Sequence, residues 1–149
     1  MRTPSPQKEG AGLREFVIID SSAVLKWFFR QDEENNDLAL KAREEHLNHK
    51  IALCAPELIY FETINIMQFR IQNETLLTNN LRSLLLISIE IFYQTEESLV
   101  ATARLTKKHS LTFYDSSYLY HAIENNAKLL TYDKKLLNAA ASEGVKIYN

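Results

Sequence analysis

The sequence has 149 residues, of which 46% are hydrophobic and 24% are charged, a balance that predicts one globular domain with a sizeable core. Its 17 Lys and Arg and 19 Asp and Glu give a net charge of -2, which excludes a generally basic surface for tight, nonspecific nucleic-acid binding. A nucleic-acid substrate would instead require metal ions that offset the negative charge at the site.

The single cysteine, Cys54, lies in the apolar run IALCA. One cysteine forms neither an internal disulfide nor a thiolate zinc site, so the chain suits a reducing compartment, and we expect a cytoplasmic protein with Cys54 as a small buried hydrophobe. The longest apolar stretch, LLLISIEIF, is too short to span a bilayer and contains Glu90, so we expect no membrane insertion.

The first fifteen residues, MRTPSPQKEGAGLRE, hold two of the three prolines and two of the three glycines. They contain no apolar segment typical of a secretory signal. We therefore expect a flexible tail over residues 1–15 and a single domain over residues 16–149.

After the tail, stretches typical of strands alternate with stretches typical of helices. Apolar or β-branched runs predict strands at Phe16–Ile19, Ile51–Cys54, Ser88–Phe92, Lys128–Tyr132 and Val145–Tyr148. Helical spacing and capping residues predict helices after Ser21, over Asn35–Asn48, from Pro56 onward, over Thr75–Leu86, over Ser98–Lys108 behind a Thr95 cap, over Asp115–Asn126, and over Lys135–Glu143 before Gly144. The alternation predicts a three-layer α/β domain, with a central parallel β-sheet flanked by helices.

The helix PELIYFETINIMQFRIQN is apolar on most sides, so we expect it to be central. Proline at position 56 would begin it, as proline commonly does in a first helical turn. Glu62 shares one side of this helix with Leu58, Ile66 and Phe69 at spacings of three and four. A glutamate in an apolar stripe needs a partner or a function. In the helix behind Thr95, the apolar residues predicted to face inward are Leu99, Ala103 and Leu105.

Four acids lie at element ends or inside an apolar helix side. Asp20 and Asp133 each follow a hydrophobic strand, so two parallel strands would bring both to the same sheet edge. Asp115 is predicted to open the helix before the second of these strands, and Glu62 comes from a separate helix. Clustered carboxylates repel unless a cation joins them, and hard ions such as Mg²⁺ and Mn²⁺ prefer oxygen ligands. Such ions activate water for phosphodiester hydrolysis.

Other interpretations of these acids compete with the metal site. An Asp after a strand is commonly a turn or capping residue, and Asp133 could simply cap the helix that follows. Glu62 could be satisfied by a lysine or a tyrosine. Three nearby tyrosines, Tyr114, Tyr118 and Tyr132, could stack on bases, although tyrosines more often pack and anchor a helix.

The segments FVIIDSSAVLKWF, PELIYFETINIM, LTFYDSSYLYHAIENNAKLLTYDKKL and the final KIYN resemble a PIN-domain protein of the VapC-like toxin type. The resemblance spans nearly the whole chain after the tail, and the stretch ending in Leu-Thr-Tyr-Asp is its most specific part. It implies a compact α/β fold with a central parallel sheet, and Mg²⁺- or Mn²⁺-dependent ribonuclease activity.

The resemblance also implies which residues form the site and which partners the protein meets. Asp20, Glu62, Asp115 and Asp133 match the family's four acids, which act in catalysis and metal binding. Asn65 and Thr131 match positions near the site that contact substrate or support the acids. Family members of this type usually pair with a small antitoxin and are commonly homodimers, so the expected partners are an RNA substrate, an antitoxin protein and a second copy of the chain.

Several other classes fit the sequence less well. A haloacid-dehalogenase-like phosphatase needs a second Asp two residues after the first, where this chain has Ser22. A receiver domain needs paired acids at that place, and a Rossmann or P-loop domain needs glycine-rich loops that a chain with three glycines lacks. The remaining alternative is a non-catalytic PIN-like scaffold that binds RNA or a partner protein.

Overall fold

The computed structural model describes residues 14–30 and 37–149. They form four strands, β1 (Glu15–Ile19), β2 (Ile51–Pro56), β3 (Glu90–Phe92) and β4 (Lys128–Leu130). They also form seven helices, α1 (Ser21–Leu25), α2 (Asp37–Leu47), α3 (Leu58–Arg70), α4 (Glu74–Leu86), α5 (Glu96–His109), α6 (Phe113–Glu124) and α7 (Lys134–Ser142). Of the predicted tail, residues 1–13 lie outside the described residues.

The four strands form one parallel sheet in the order β3-β2-β1-β4. The predicted α/β fold with a central parallel sheet is therefore confirmed. β1 and β2 are the inner strands; Val17, Ile18 and Ile19 are fully buried, and so is the whole of β2, including Cys54. Runs without polar alternation suit strands that are covered on both sides.

Two of the differences between the predicted and the observed elements concern Pro56 and the last predicted strand. Pro56 is the last residue of β2 and not the first of a helix, because α3 begins at Leu58. β2 pairs with β1 only as far as Cys54, so the missing N–H of Pro56 removes no bond on that side. The expected last strand is reduced to a single parallel bridge between Leu129 and Ile147.

The expectation that α3 is central was wrong. The helix buries Ile59, Thr63 and Met67, whereas Phe61 is 68% exposed and Phe69 is 71% exposed. The predicted inward side of α5 is correct only for Leu105, which is half-buried and packs against the core. Leu99 and Ala103 are exposed, and the buried residues are Ser98 and Thr102. The Thr95 cap of that helix is confirmed as a reciprocal capping box with Ser98.

No helix among the described residues has the length and apolar character needed to cross a bilayer.

Candidate active site

Asp20 follows β1 directly and is also the N-cap of α1. Its Oδ1 accepts hydrogen bonds from the backbone N–H of Ala23 at 3.1 Å and from the Ser22 hydroxyl at 2.6 Å. Its Oδ2 accepts a bond from the Thr131 hydroxyl. The side chain is 3% exposed, and burial raises the pKa of Asp20 to about 6, although these donors oppose the shift.

Backbone and hydroxyl groups join the ends of β1 and β4. The N–H of Asp20 donates to the Leu130 carbonyl at 3.3 Å, and the N–H of Tyr132 donates to the Ser22 hydroxyl at 2.9 Å. The N–H of Asp133 donates to the Thr131 hydroxyl at 3.0 Å. These bonds hold Asp133 beside Asp20 at the carboxyl edge of the sheet, where parallel strands commonly present functional groups.

Asp133 caps α7, since its Oδ1 accepts from the N–H of Leu136 at 2.9 Å. Asp20 likewise caps α1. The competing interpretation of both residues as helix caps therefore describes real hydrogen bonds. Each cap uses Oδ1 of the aspartate to accept a backbone N–H. The second oxygen, Oδ2, takes no part in the cap.

Asp115 lies in the first turn of α6 but does not open it, which corrects the sequence-based assignment. The helix begins at Phe113 behind the cap Thr112, whose hydroxyl accepts from the N–H of Asp115 at 3.1 Å. Threonine and aspartate are both good caps, so the sequence pattern alone was ambiguous. Burial raises the pKa of the half-buried Asp115, and the charge of Asp133 raises it further.

Glu62 lies on α3, and its partner is Tyr118 of α6. The Tyr118 hydroxyl donates to Oε1 of Glu62 at 2.6 Å, and the tyrosine is 1% exposed. Burial raises the pKa of Glu62, the bond from Tyr118 lowers it, and the charge of Asp115 raises it. Burial and the charges of Glu62, Asp20 and Asp115 raise the pKa of Tyr118, so its hydroxyl keeps its proton and acts as a donor.

Electrostatic repulsion connects the four predicted acids through Asp115. The charge of Asp115 raises the pKa of Asp20 and of Glu62. The charge of Asp133 in turn raises the pKa of Asp115. Within residues 14–30 and 37–149, no three His, Cys, Asp or Glu side chains are gathered closely enough to hold a metal ion. The catalytic and metal-binding roles of the four acids stay predictions.

The donor chemistry of this region fits a hard divalent cation. The groups that shift the pKa values of Asp20, Glu62 and Asp115 are carboxylates and neutral hydroxyl or N–H donors, besides burial. Oxygen donors with this charge suit Mg²⁺ or Mn²⁺, whereas zinc sites generally use His or Cys. A cation placed among the acids would attract each carboxylate and offset their mutual repulsion.

The two supporting residues predicted beside the acids differ in position. Thr131 is buried and contacts both Asp20 and Asp133. Asn65 lies on the exposed side of α3, where its side-chain oxygen accepts a 3.4 Å bond from Gln68. Sequence reasoning gave Ser22 no site role. For Tyr118 it offered base stacking, which the burial of the side chain excludes, or packing that anchors the helix. Their signal was spacing, because Ser22 is two residues after Asp20 and Tyr118 is one helical turn after Asp115.

A lysine and an aromatic ring border the acids. The Nζ of Lys26, just after α1, lies 5.1 Å from the ring centroid of Tyr132, the residue that precedes Asp133. This pair places a positive charge and an aromatic side chain near the carboxylates.

The model of the PIN-domain family matches residues 17–142, which is most of the chain. A search of curated proteins found no match.

Several solved structures share the fold. FitAcB from Neisseria gonorrhoeae aligns with a TM-score of 0.63 at 16% identity, covering 89% of this chain and 96% of that chain. VapBC2 from Rickettsia felis, bound to a DNA fragment from its promoter, aligns with a TM-score of 0.61 at 14% identity, covering 83% and 91%. A toxin–antitoxin complex from Klebsiella pneumoniae aligns with a TM-score of 0.58 at 14% identity, covering 80% and 88%. At identities this low, the alignments show a common fold and nothing more.

Proposed function

The chain belongs to the PIN-domain family, and we propose on that basis that it is a ribonuclease that hydrolyses RNA phosphodiester bonds with Mg²⁺ or Mn²⁺. PIN domains are generally nucleases. The observation that carries the proposal is the set of four acids whose charges repel one another through Asp115 at the carboxyl edge of the sheet. Such repulsion disfavours the fold unless a cation or a proton relieves it.

In this proposal Asp20, Glu62, Asp115 and Asp133 hold the cation. The bound ion would supply charge that stabilises the scissile phosphate and would lower the pKa of an attacking water. The chain itself keeps Asp20 dry and fixed, through Ser22, Thr131 and the α1 N-terminus. Preorganised groups of this kind reduce the reorganisation that the transition state requires.

The protonation of Asp20 sets a lower pH limit for this site. Its pKa is raised to about 6, so the carboxylate is largely ionised at pH 7.5 and largely protonated at pH 5. A protonated carboxyl group binds a divalent cation poorly, because metal and proton compete for it. Cleavage should therefore fall as the pH decreases through about 6.

The test is RNA cleavage by purified protein in Mn²⁺, compared with excess chelator and with the variants Asp20→Asn and Glu62→Gln. Glu45→Gln is the matched control, because Glu45 also accepts a tyrosine hydroxyl bond of 2.6 Å, from Tyr148. We expect cleavage by wild type and Glu45→Gln and loss of at least about a hundredfold in the other two, the scale of losing transition-state charge stabilisation. Cleavage that survives chelator and Asp20→Asn would contradict the mechanism. A single-stranded DNA substrate of the same sequence tests the preference for RNA.

We further propose that the protein is the toxin of a type II toxin–antitoxin pair in the cytoplasm, and that it forms a homodimer. The supporting observation is that α3 and α4 expose large apolar side chains, among them Phe61, Phe69 and Leu86, which is 80% exposed. Exposed apolar residues of this size are typical of protein contact surfaces.

Induced expression of the protein should arrest growth, and co-expression with the product of a short neighbouring gene should restore growth. Growth unaffected by wild-type expression would contradict the toxin assignment.

A second candidate is a PIN-like scaffold that binds RNA or a partner without cleaving. The observation that favours it is that Asp20 and Asp133 cap helices, so both have a structural use. RNA binding by wild type in Mn²⁺ with no cleavage, and unchanged by chelator, would support the scaffold over the nuclease.

A further inference from the structure

Two tyrosines at the sheet edge that carries the acids have exposed rings. Tyr93 follows β3 directly and is 54% exposed. Tyr114 lies in the first turn of α6, directly before Asp115, and is 57% exposed. In the described part of the chain, neither ring stacks on another aromatic ring. Both rings therefore present an aromatic face to solvent beside the candidate active site.

The register of the parallel sheet places Tyr93 at the level of Asp20. Ile18 of β1 and Glu90 of β3 both pair with Cys54 of β2, so two residues further along each strand Asp20 is level with Phe92. Tyr93 follows Phe92 and lies just beyond that edge. β2 alone separates β3 from β1, so the strand ends are two strand spacings apart, about 10 Å. A single strand of RNA at the acids is long enough to reach the Tyr93 ring.

The residues on either side of Tyr93 hold its backbone in place. Phe92 is buried, and Oε1 of the half-buried Gln94 accepts a 2.8 Å hydrogen bond from the Ser98 hydroxyl. Thr95 then caps α5. Successive side chains of an extended segment point to opposite sides, so Tyr93 projects outward between two inward residues. Its exposure is thus a consequence of a fixed backbone.

Gln94 also connects the segments that carry the two exposed tyrosines. Its Nε2 donates to the Ser117 hydroxyl at 3.0 Å, and Ser117 is one helical turn after Tyr114 on α6. On its other side Tyr93 has a neighbour in Tyr60 of α3, whose pKa is raised by burial and further by Tyr93. A tyrosine has only two side-chain torsions, so a ring on a fixed backbone loses little entropy when a flat group stacks on it.

We propose that Tyr93 and Tyr114 form a base-stacking subsite for single-stranded RNA beside the acids. The choice of RNA rests on the proposed function, and the inference adds residues that hold the strand. Every base has an aromatic face, so stacking on tyrosine accepts any sequence. Bases inside a duplex already stack on one another, so the subsite takes an unpaired strand.

The charge of this region favours contact through bases over contact through phosphates. Asp115 lies beside Tyr114, and its charge raises the pKa of both Asp20 and Glu62. The whole chain has a net charge of -2. Carboxylates repel phosphates, so nucleotides near the acids need another source of affinity. An uncharged aromatic face supplies it and adds no charge to the site.

The test is the affinity of a single-stranded RNA of about eight nucleotides, measured by fluorescence anisotropy in chelator. Tyr93→Leu and Tyr114→Leu keep an apolar side chain but remove the aromatic face. Loss of one stacked base should weaken binding about 5- to 150-fold in each. Tyr93→Phe keeps the face and should bind as wild type does. Leu99→Ser, at an exposed aliphatic position of α5, is the matched control and should also bind normally.

Two further readouts distinguish stacking from a general effect on the surface. On an RNA of the same length without bases, wild type and Tyr93→Leu should bind equally weakly. For wild type on the normal RNA, the salt dependence should correspond to fewer than about two neutralised phosphates. A steep salt dependence that Tyr93→Leu leaves unchanged, with unchanged affinity, would assign binding to lysine and arginine contacts and overturn the subsite.

The outcomes separate the subsite from the proposed function. Wild-type protein that binds RNA through both rings and never cleaves it with Mn²⁺ overturns the nuclease and leaves the subsite standing. Wild-type protein that cleaves RNA, with unchanged affinity in both leucine variants, overturns the subsite alone. If Tyr93→Leu and Leu99→Ser instead weaken a protein contact equally and leave RNA affinity unchanged, the surface binds protein, and the subsite is overturned as well.

Discussion

Thr131 donates a hydrogen bond to Asp20 across the junction of β1 and β4, and both side chains are buried. The same hydroxyl oxygen accepts from the N–H of Asp133. One small side chain thus connects the acid that follows the first strand with the acid that follows the fourth. Its hydroxyl is a structural part of the candidate site.

Thr131→Val should weaken both the fold and the activity. Valine keeps the shape but removes the donor to a buried carboxylate, a loss that typically costs about 1–3 kcal/mol. The bond from Thr131 lowers the pKa of Asp20, so its removal should shift the acid limb of the pH–activity profile upward. Thr131→Ser keeps the hydroxyl and is the control. Equal unfolding midpoints and equal pH profiles for the two variants would contradict this account.

Asp20→Asn should stabilise the protein at pH 7.5 in chelator, while it removes activity. The pKa of Asp20 rises on folding from 3.8 to about 6, so the protonated form favours the fold. Its contribution is full below pH 3.8 and is lost as the pH rises through 6, an effect of up to about 3 kcal/mol. Asparagine stays neutral, so its advantage should appear at pH 7.5 and shrink toward pH 4.

Urea unfolding of both proteins at pH 7.5 and pH 4 measures this difference. Mn²⁺ at about a thousand times its dissociation constant should reverse the order at pH 7.5, because it would add about 4.1 kcal/mol to the wild type alone. An Asn variant that is less stable by the same amount at both pH values would show that lost hydrogen bonds dominate.

His121→Phe should remove an acid sensitivity of opposite sign. His121 is buried, stacks on Phe92 with ring centroids 5.2 Å apart, and has its pKa lowered by burial from 6.5 to about 4. Its stabilising effect is full above pH 6.5 and is lost as the pH falls through 4, by up to about 3 kcal/mol. Phenylalanine keeps the stacking without titrating. The difference in unfolding free energy between variant and wild type should move in favour of the variant from pH 7 to pH 4, and a constant difference would contradict the assignment.

Polar substitution of the exposed aromatic residues of α3 should change assembly and leave cleavage intact. Phe61→Ser and Phe69→Ser alter side chains that contribute little to the core, so the unfolding midpoint should change by less than about 1 kcal/mol. If these residues form the proposed dimer or antitoxin surface, light scattering should show more monomer, or antitoxin capture should weaken. Leu47→Ser, at an exposed position of α2, is the control. Unchanged assembly in both α3 variants would place the interface elsewhere.

The strands and the sheet edge were predictable because their signals are local. FVII and IALC are unbroken apolar runs, and the structure makes them the two inner strands. The boundary at Pro56 was missed because proline suits both a helix start and a strand end. Only the pairing of Pro56 with Phe92 of β3 places it in the strand. The end of β4 at Leu130 was missed because Thr131 and Tyr132 are residue types that are common in strands. In the structure the N–H of Tyr132 donates to the Ser22 hydroxyl, and the Thr131 hydroxyl accepts from the N–H of Asp133.

Burial was less predictable than secondary structure. The apolar residues of α3 and α5 suggested inward sides, yet Phe61, Phe69 and Leu99 face outward. Hydrophobicity alone does not distinguish a core residue from a residue on a contact surface. The Tyr118–Glu62 bond joins positions 56 residues apart in sequence, and no spacing rule within one helix predicts it.

The two helix caps among the acids bear on how this chain could change over evolutionary time. If the chain is the proposed ribonuclease, a descendant that had lost this activity would still lose about 1 kcal/mol for each cap replaced by alanine. Selection for folding alone would therefore favour Asp or Asn at positions 20 and 133. Glu62 and Asp115 are not helix caps, and the charges of these two half-buried side chains repel each other. Positions 62 and 115 would therefore be the first to drift in an inactive lineage, and their state in a relative is the better indicator of retained catalysis.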